Sequence, residues 1–381
     1  MNKIICLRLS MIALALLALG IFALERRHTY AIQSAPDIGL AIPSEHAAWP
    51  WPDARQSTLR SGVSHWLATS RDGTFCELLE FDFKLNPRLR FGLYAQDEDD
   101  LKPFDNNIQF WQMGVGQAVR HLNARLGSTG TIVAAANGPF FGYRRVSKRV
   151  QNEIGFHLAP IVLRGRVYHN IGNHRWTMGV KYFEGRPQFK TFHLPDKKLL
   201  QSQFDFASGT VQCLLKDNRP LKLEAWPRGP RDFKKQPVPS TPAEAGHIPY
   251  FDHAKFSRTS LAWNADSSKL YWLIIREPMN DSEGQSIERL SQWKSQSGGW
   301  NVPDVQRFWL SMSRADLVSD AINSDAGDVG QLAYRLPNTH YELVSPIGDN
   351  PNFARKEFAP DFKGAPEGGA LMYWTMSEMK N

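Results

Sequence analysis

Apolar positions along the chain fall mostly into short runs of strand length, separated by polar turns, with two stretches of helical period among them. Residues 75–83 (Phe-Cys-Glu-Leu-Leu-Glu-Phe-Asp-Phe) and 89–94 read as strands. Residues 107–126 carry Ile108, Trp111, Val115, Ala118, Val119 and Leu122 at helical spacing, which predicts an amphipathic helix stopped by Gly127. Residues 131–136 are continuously apolar, as in a strand buried on both faces, and end in the turn Asn137-Gly138-Pro139. Further strands are expected over 159–163, 166–169, 177–183 and 211–215, the last followed by a hairpin-type turn over 216–220. A hairpin is expected from 259–263 and 270–275. Asn301 caps a second helix with Pro303 in its first turn and an apolar face of Val305, Phe308, Trp309 and Met312. Residues 320–324 then form a strand, and 325–328 a tight polar turn. Strands and helices in this order predict an α/β or α+β fold, with mixed β-sheets and the helices packed outside.

The ends read differently. Lys3 and Arg8 precede the apolar run 11–24, too short to span a bilayer comfortably but of the length of an export signal. Residues 1–24 are therefore expected to be a signal peptide, cut after Ala23 or Ala31, or an uncleaved anchor through residues 4–24. This puts the remainder outside the cytoplasm: periplasmic, extracellular or membrane-anchored. Residues 25–70 are expected as a linker or N-terminal arm, 71–346 as one domain, and 347–381 as a tail packed on it. The proline-dense stretch 226–250 is expected as a long surface loop.

Hydrophobic residues at 42% and charged residues at 22% exclude a disordered chain and a polytopic membrane protein. A net charge of +7 over 381 residues suits an anionic ligand but forms no concentrated basic stripe of the kind nucleic acid needs. Cys76 and Cys213 are either a disulfide or two buried thiols. Residues 96–100 are expected as a solvated acidic loop without the glycine and spacing of a calcium loop. His169, Asn173, His174, Lys148 and Arg149 are expected at the surface. Trp263 and Trp272 are expected in the core, and Trp300, after Gly298-Gly299, exposed.

Candidate chemistry gathers at strand ends, where α/β sheets place their ligands. Asn137 is delivered into a Gly-Pro turn followed by two aromatics, and Asn323 and Asp325 into the turn after 320–324. Arg258 begins a strand and is by itself a surface arginine, yet with Asn137 and Asp325 it would bind phosphate and carry out acid–base chemistry. The bland alternative for both asparagine motifs is a solvated Asx-type turn.

In this order the motifs resemble the phosphodiester glycosidase family. Asn137 to Phe141 (Asn-Gly-Pro-Phe-Phe), the glycine, strand and hairpin of 155–167, Arg258-Thr259, and Asn323-Ser-Asp-Ala-Gly-Asp-Val329 carry the likeness over about 75–345. One departure stands out: Ala326 occupies the first glycine position of the family's final turn, and Asp328 adds a charge there. The resemblance implies hydrolysis of a sugar-1-phosphodiester at the glycosidic bond, in a glycan or glycolipid. Catalysis would rest on Asp325, Arg258 and Asn137, and substrate binding on Asn323, Gly138, Phe141, Thr259, Gly327 and Asp328. Asp328 or Glu153 would supply a second carboxylate. No cofactor is expected beyond a calcium ion at Asp325 and Asp328. Replacing Arg258 by Ala is expected to abolish turnover with little change in melting temperature. The alternative is a non-catalytic carbohydrate- or phosphate-binding envelope protein on the same fold.

Overall fold

The structure, a computed structural model, describes residues 54–69, 74–103, 105, 108, 114–139, 141–145, 153–157, 160–169, 176–193, 200, 203–210, 212–223, 257–276, 299–314, 317–326, 330–344 and 370–380. All of these belong to the compact unit Ala41–Asn381. The signal segment 1–24 and the proline-dense loop 226–250 lie outside the described residues. No described helix is long and apolar enough to cross a membrane.

Twenty strands and two longer helices alternate along the described chain. It begins with β1 (Arg55–Arg60), β2 (Val63–Thr69), β3 (Phe75–Asp82) and β4 (Leu89–Ala95). Helix α1 (Val115–Leu126) leads into β5 (Gly130–Asn137), β6 (Phe141–Arg145) and β7 (Glu153–His157). Next come β8 (Ile161–Leu163), β9 (Arg166–His169), β10 (Trp176–Phe183) and β11 (Arg186–His193). They are followed by β12 (Phe206–Thr210), β13 (Gln212–Lys216), β14 (Arg219–Pro220), β15 (Arg258–Trp263) and β16 (Lys269–Arg276). Helix α2 (Val302–Arg314) precedes β17 (Asp320–Ala326), β18 (Leu332–Arg335), β19 (Tyr341–Val344) and β20 (Met372–Met379).

Every described strand pairing is antiparallel. The strands make an eight-stranded sheet (β1-β2-β3-β16-β15-β17-β13-β14), two five-stranded sheets (β19-β18-β5-β20-β4 and β11-β10-β12-β8-β9) and the ribbon β6-β7. The fold is α+β, with antiparallel sheets and the helices on the outside.

The layers follow from side-chain alternation. On β16, Leu270, Trp272 and Ile274 join the central cluster, which also holds Val133 and Trp374 of the sheet containing β5, and Met178 and Phe189 of the third sheet. Tyr271, Leu273 and Ile275 point the other way, into a second cluster with Trp309, Phe308 and Val305 of α2. Helix α1 covers the outer face of the β5 sheet through Val115, Ala118 and Val119. Each large side chain buried this way contributes roughly 1.5–3 kcal/mol. Both helix ends are as expected. Asn301 Oδ1 accepts from the Asp304 amide at 2.8 Å, and Asp304 Oδ2 accepts from the Asn301 amide at 3.0 Å. Gly127 terminates α1 at φ +53°.

Several expectations change once tertiary packing is known. The first helix starts at Val115, because Ile108 forms a β-bridge with Gly155 instead. Residues 55–69, expected in an N-terminal arm, are the first two strands of the largest sheet. Residues 372–379, expected in a surface tail, form β20 between β5 and β4, paired on both sides with one irregularity between Met376 and Ser377. The acidic segment is solvated only in part: Asp99 is exposed, but Gln96 and Asp97 are fully buried in a short 3-10 turn, Gln96 donating to the Ala370 carbonyl. Trp300 is also fully buried, against Phe308 at 5.7 Å, because Gly299 at φ +73° turns the chain inward and donates to Thr74 Oγ1.

Cys76 and Cys213 are buried free thiols. They sit on β3 and β13, four strand spacings apart in one sheet, about 19 Å, whereas a disulfide needs Cα atoms within about 7 Å. Burial pushes the Cys213 thiol up to about 12, so it stays protonated. Neither thiol is expected to react with iodoacetamide in the native protein, and both should react in denaturant. Rapid native alkylation, read by mass spectrometry, would contradict this packing.

Candidate functional site

The candidate residues lie at one end of the two large sheets. The ends of β5 and β17, the start of β15 and the N-termini of both helices all meet there. Asn137 is fully buried at the end of β5. Its backbone amide donates to the Gln331 carbonyl at 3.1 Å. Its side-chain oxygen accepts twice, from Thr259 Oγ1 at 2.7 Å and from the Gln331 amide at 3.0 Å. Gln331 Oε1 in turn accepts from the Val115 amide at the start of α1. The first of these bonds joins the two sheets. Next along the chain, Gly138 donates to the Met372 carbonyl at 2.7 Å. A Cβ there would lie 2.9 Å from both the Met372 Cβ and its carbonyl oxygen, so only glycine permits the approach.

β15 sorts its residues onto two faces. Thr259, Leu261 and Trp263 face the central core and the β5 sheet, while Arg258, Ser260 and Ala262 face α2. Ser260 pairs with Asn323, and Arg258 with Ala326, so β17 spans three steps where β15 spans two. The bulge leaves Ser324 and Asp325 together opposite Thr259. Such bulges re-aim side chains at the ends of sheets. Ser324 Oγ accepts from the indole of Trp374 at 3.3 Å, a second bond between the sheets. Asp325 is 3% exposed. β17 continues through Ala326, so the turn expected at 325–328 starts later than the sequence suggested.

Asn137 and Thr259 thus meet where the sheets come together, and the bulge places Asp325 opposite Thr259 on the neighbouring strand. Arg258 and Asn323 start from the opposite, helix-facing side of the eight-stranded sheet. Arg258, expected at the surface, is 1% exposed, and its Nε donates to the Trp300 carbonyl at 3.0 Å. That bond ties β15 to the buried Trp300 at the start of α2. Arg258→Ala is therefore expected to lower stability by about 2–4 kcal/mol, not to leave the melting temperature unchanged. Denaturant titration checks this, and an unchanged midpoint would contradict it. Asn323 is fully buried, and neither its side-chain oxygen nor its nitrogen has a partner among the described residues. Phe141 is half-buried at the start of β6, against two of the core clusters. Gly327, Asp328, the Glu153 side chain, Lys148, Arg149, Asn173 and His174 lie outside the described residues, as does the His169 side chain.

Sequence reasoning passed over three residues on the site-facing side. Glu77 and Arg276 are each 1% exposed, with Arg276 Nη1 donating to Glu77 Oε1 at 2.7 Å. His65 Nε2 lies 3.3 Å from Glu77 Oε2, and its ring packs on Tyr334 of the β5 sheet at 4.7 Å. Thr259, Ile274 and Glu77 stand in one cross-strand row, which puts Glu77 about 10 Å from Thr259. The sequence signal was available: Glu77 interrupts the otherwise apolar face of Phe75, Leu79 and Phe81, and a buried carboxylate requires a partner.

A separate acidic group follows β4 at the same end of the β5 sheet. Carboxylate oxygens of Asp97, Asp100 and Asp105 lie within 4.8 Å of one another, and His157 Nε2 is 3.8 Å from Asp97 Oδ2.

No protein-family model matches the chain, and no curated protein matches it. Three solved structures are similar at low identity. One is the zebrafish N-acetylglucosamine-1-phosphodiester alpha-N-acetylglucosaminidase catalytic domain, auto-inhibited by its pro-peptide, at 14% identity and TM-score 0.46, covering 87% of this chain and 84% of that one. A hypothetical protein from Synechocystis is 10% identical with TM-score 0.43, covering 86% and 64%. A Burkholderia pseudomallei K96243 protein thought to be exported is 11% identical with TM-score 0.41, covering 82% and 74%.

Proposed function

We propose that this chain is an exported hydrolase that cleaves the glycosidic bond of a sugar-1-phosphodiester, with its site where the two large sheets meet. The observation that carries the reading is the Asn137 amide. Its oxygen is saturated by Thr259 and Gln331, while its buried nitrogen has no hydrogen-bond partner among the described residues. A buried polar group left unpaired costs about 1–3 kcal/mol, and a ligand removes that cost. The motifs resembling the phosphodiester glycosidase family supply the ligand class.

The chemistry divides by residue. Cleavage passes through an oxocarbenium-like state, and the departing phosphate is already a stable anion, so protonation of the leaving group matters less than in ordinary glycosides. Asp325, on the bulge beside Thr259, is the proposed base for water or the nucleophile. Asn137 Nδ2 donates to the substrate. Arg258 acts in this reading by holding the start of α2, through its bond to Trp300. Ala326 continues the strand, where an extended backbone accepts alanine as readily as glycine.

Release of free sugar from a panel of UDP-linked sugars by the purified chain tests the proposal. Turnover that depends on Asp325 supports it. Binding of a panel member without release by any preparation favours the non-catalytic alternative.

A further inference from the structure

Asn137 is held in one of two amide orientations, and the orientation decides what it can recognise. A carbonyl oxygen has two lone pairs, and both on Asn137 Oδ1 are occupied, by the Thr259 hydroxyl at 2.7 Å and the Gln331 backbone amide at 3.0 Å. A backbone N–H can only donate. Flipping the side chain would set Nδ2 against that N–H, donor to donor, so the oxygen must face Gln331. Thr259 Oγ1 carries the only rotatable donor at the pair, and its bond closes the second lone pair. Nδ2 is left with two hydrogens, fully buried and without a partner among the described residues.

We infer that Thr259 and Gln331 are positioning residues that lock Asn137 to meet its ligand solely as a hydrogen-bond donor, and that the ligand atom seated there is an acceptor oxygen such as that of a phosphodiester. This deepens the functional reading above and rests on it for the substrate class. Thr259, expected to touch substrate, acts here through Asn137. The acceptor belongs either to phosphate or to a sugar hydroxyl, and the probes below separate the two.

The test compares wild type with Thr259→Val, Thr259→Ser and Asn137→Asp in the full chain. Calorimetry measures binding of dimethyl phosphate, which offers acceptors alone, and of UDP-glucose, while sugar release is assayed in parallel. Thr259→Val keeps the shape of the side chain and removes its donor. It is expected to weaken binding roughly three- to tenfold, with Thr259→Ser close to wild type. Asn137→Asp replaces the NH2 by an oxygen at nearly the same position. Its binding is expected to be lost at neutral pH and regained on acidification, since the protonated carboxyl donates again. The variant-to-wild-type ratio should then rise by up to about tenfold per pH unit as the pH falls toward the carboxyl's pKa, and level off below it.

Binding of UDP-glucose but not dimethyl phosphate assigns the acceptor to the sugar, and binding of both assigns it to phosphate. Thr259→Val indistinguishable from wild type, with sugar still released, overturns the lock and leaves the hydrolase reading standing. Weakened binding by Thr259→Val in a protein that releases no sugar supports the lock and overturns the hydrolase. Failure of wild type to bind either probe overturns both. Should Thr259→Val not fold, the acid dependence of Asn137→Asp decides: a ratio flat with pH overturns the inference.

Discussion

Asp325→Asn should reduce sugar release at least about 10³-fold while the protein still folds and still binds UDP-glucose. The magnitude follows from the role: a base or nucleophile typically contributes several orders of magnitude, whereas a binding contact contributes one or two. The change keeps size and one acceptor oxygen and turns the other into a donor, and the bulge that holds residue 325 opposite Thr259 is a feature of the backbone, so it should survive. Comparison with Asn137→Asp sharpens the result. Loss at 325 should fall on kcat, and loss at 137 on binding. Wild-type turnover by Asp325→Asn would remove Asp325 from the chemistry and leave the site without its carboxylate.

Glu77→Leu is expected to destabilise the protein by about 3–5 kcal/mol. It leaves the guanidinium of Arg276, 1% exposed, without the carboxylate 2.7 Å away, and arginine cannot shed its charge. Total stability of an ordinary domain is about 5–15 kcal/mol, so the variant should sit near the limit of folding. The double variant Glu77→Leu with Arg276→Met should recover much of the loss, because replacing a buried pair by apolar groups is often neutral. Denaturant unfolding of the two single variants and the double variant reads this coupling. Additive losses would show that the two charges do not depend on each other.

Local structure was legible in the sequence and long-range packing was not. The hairpin of β15 and β16, the Asn301 cap and the Gly127 stop depend on a few neighbouring residues, and all three formed as read. Arg258 was taken for a surface group because nothing beside it in the chain reports the α2 layer that covers it. Trp300 and the Gln96–Asp97 turn failed for the same reason, since polar or glycine-rich neighbours say little about what packs on top from elsewhere. Asn137 and Asp325 were found as strand-end residues, but their relation to Thr259 needed the register of β17. A bulge is invisible to a period-two pattern. The Glu77–Arg276 pair carried a usable clue, a charge on the apolar face of each of two strands, that only a partner 199 residues away explains.

The place of β20 also governs when this protein can acquire its structure. β4 and β5 have no contact as neighbours until residues 372–379 arrive between them, and Asn86 reaches Glu378 across 292 positions of chain. Pairings so distant close large loops before they return any stabilisation, which makes folding slow. Until then the apolar edges of β4 and β5 stand open to other strands. If the chain is exported unfolded, as the proposed function would have it, the early segments cannot complete their sheet while the later ones are still on the other side of the membrane.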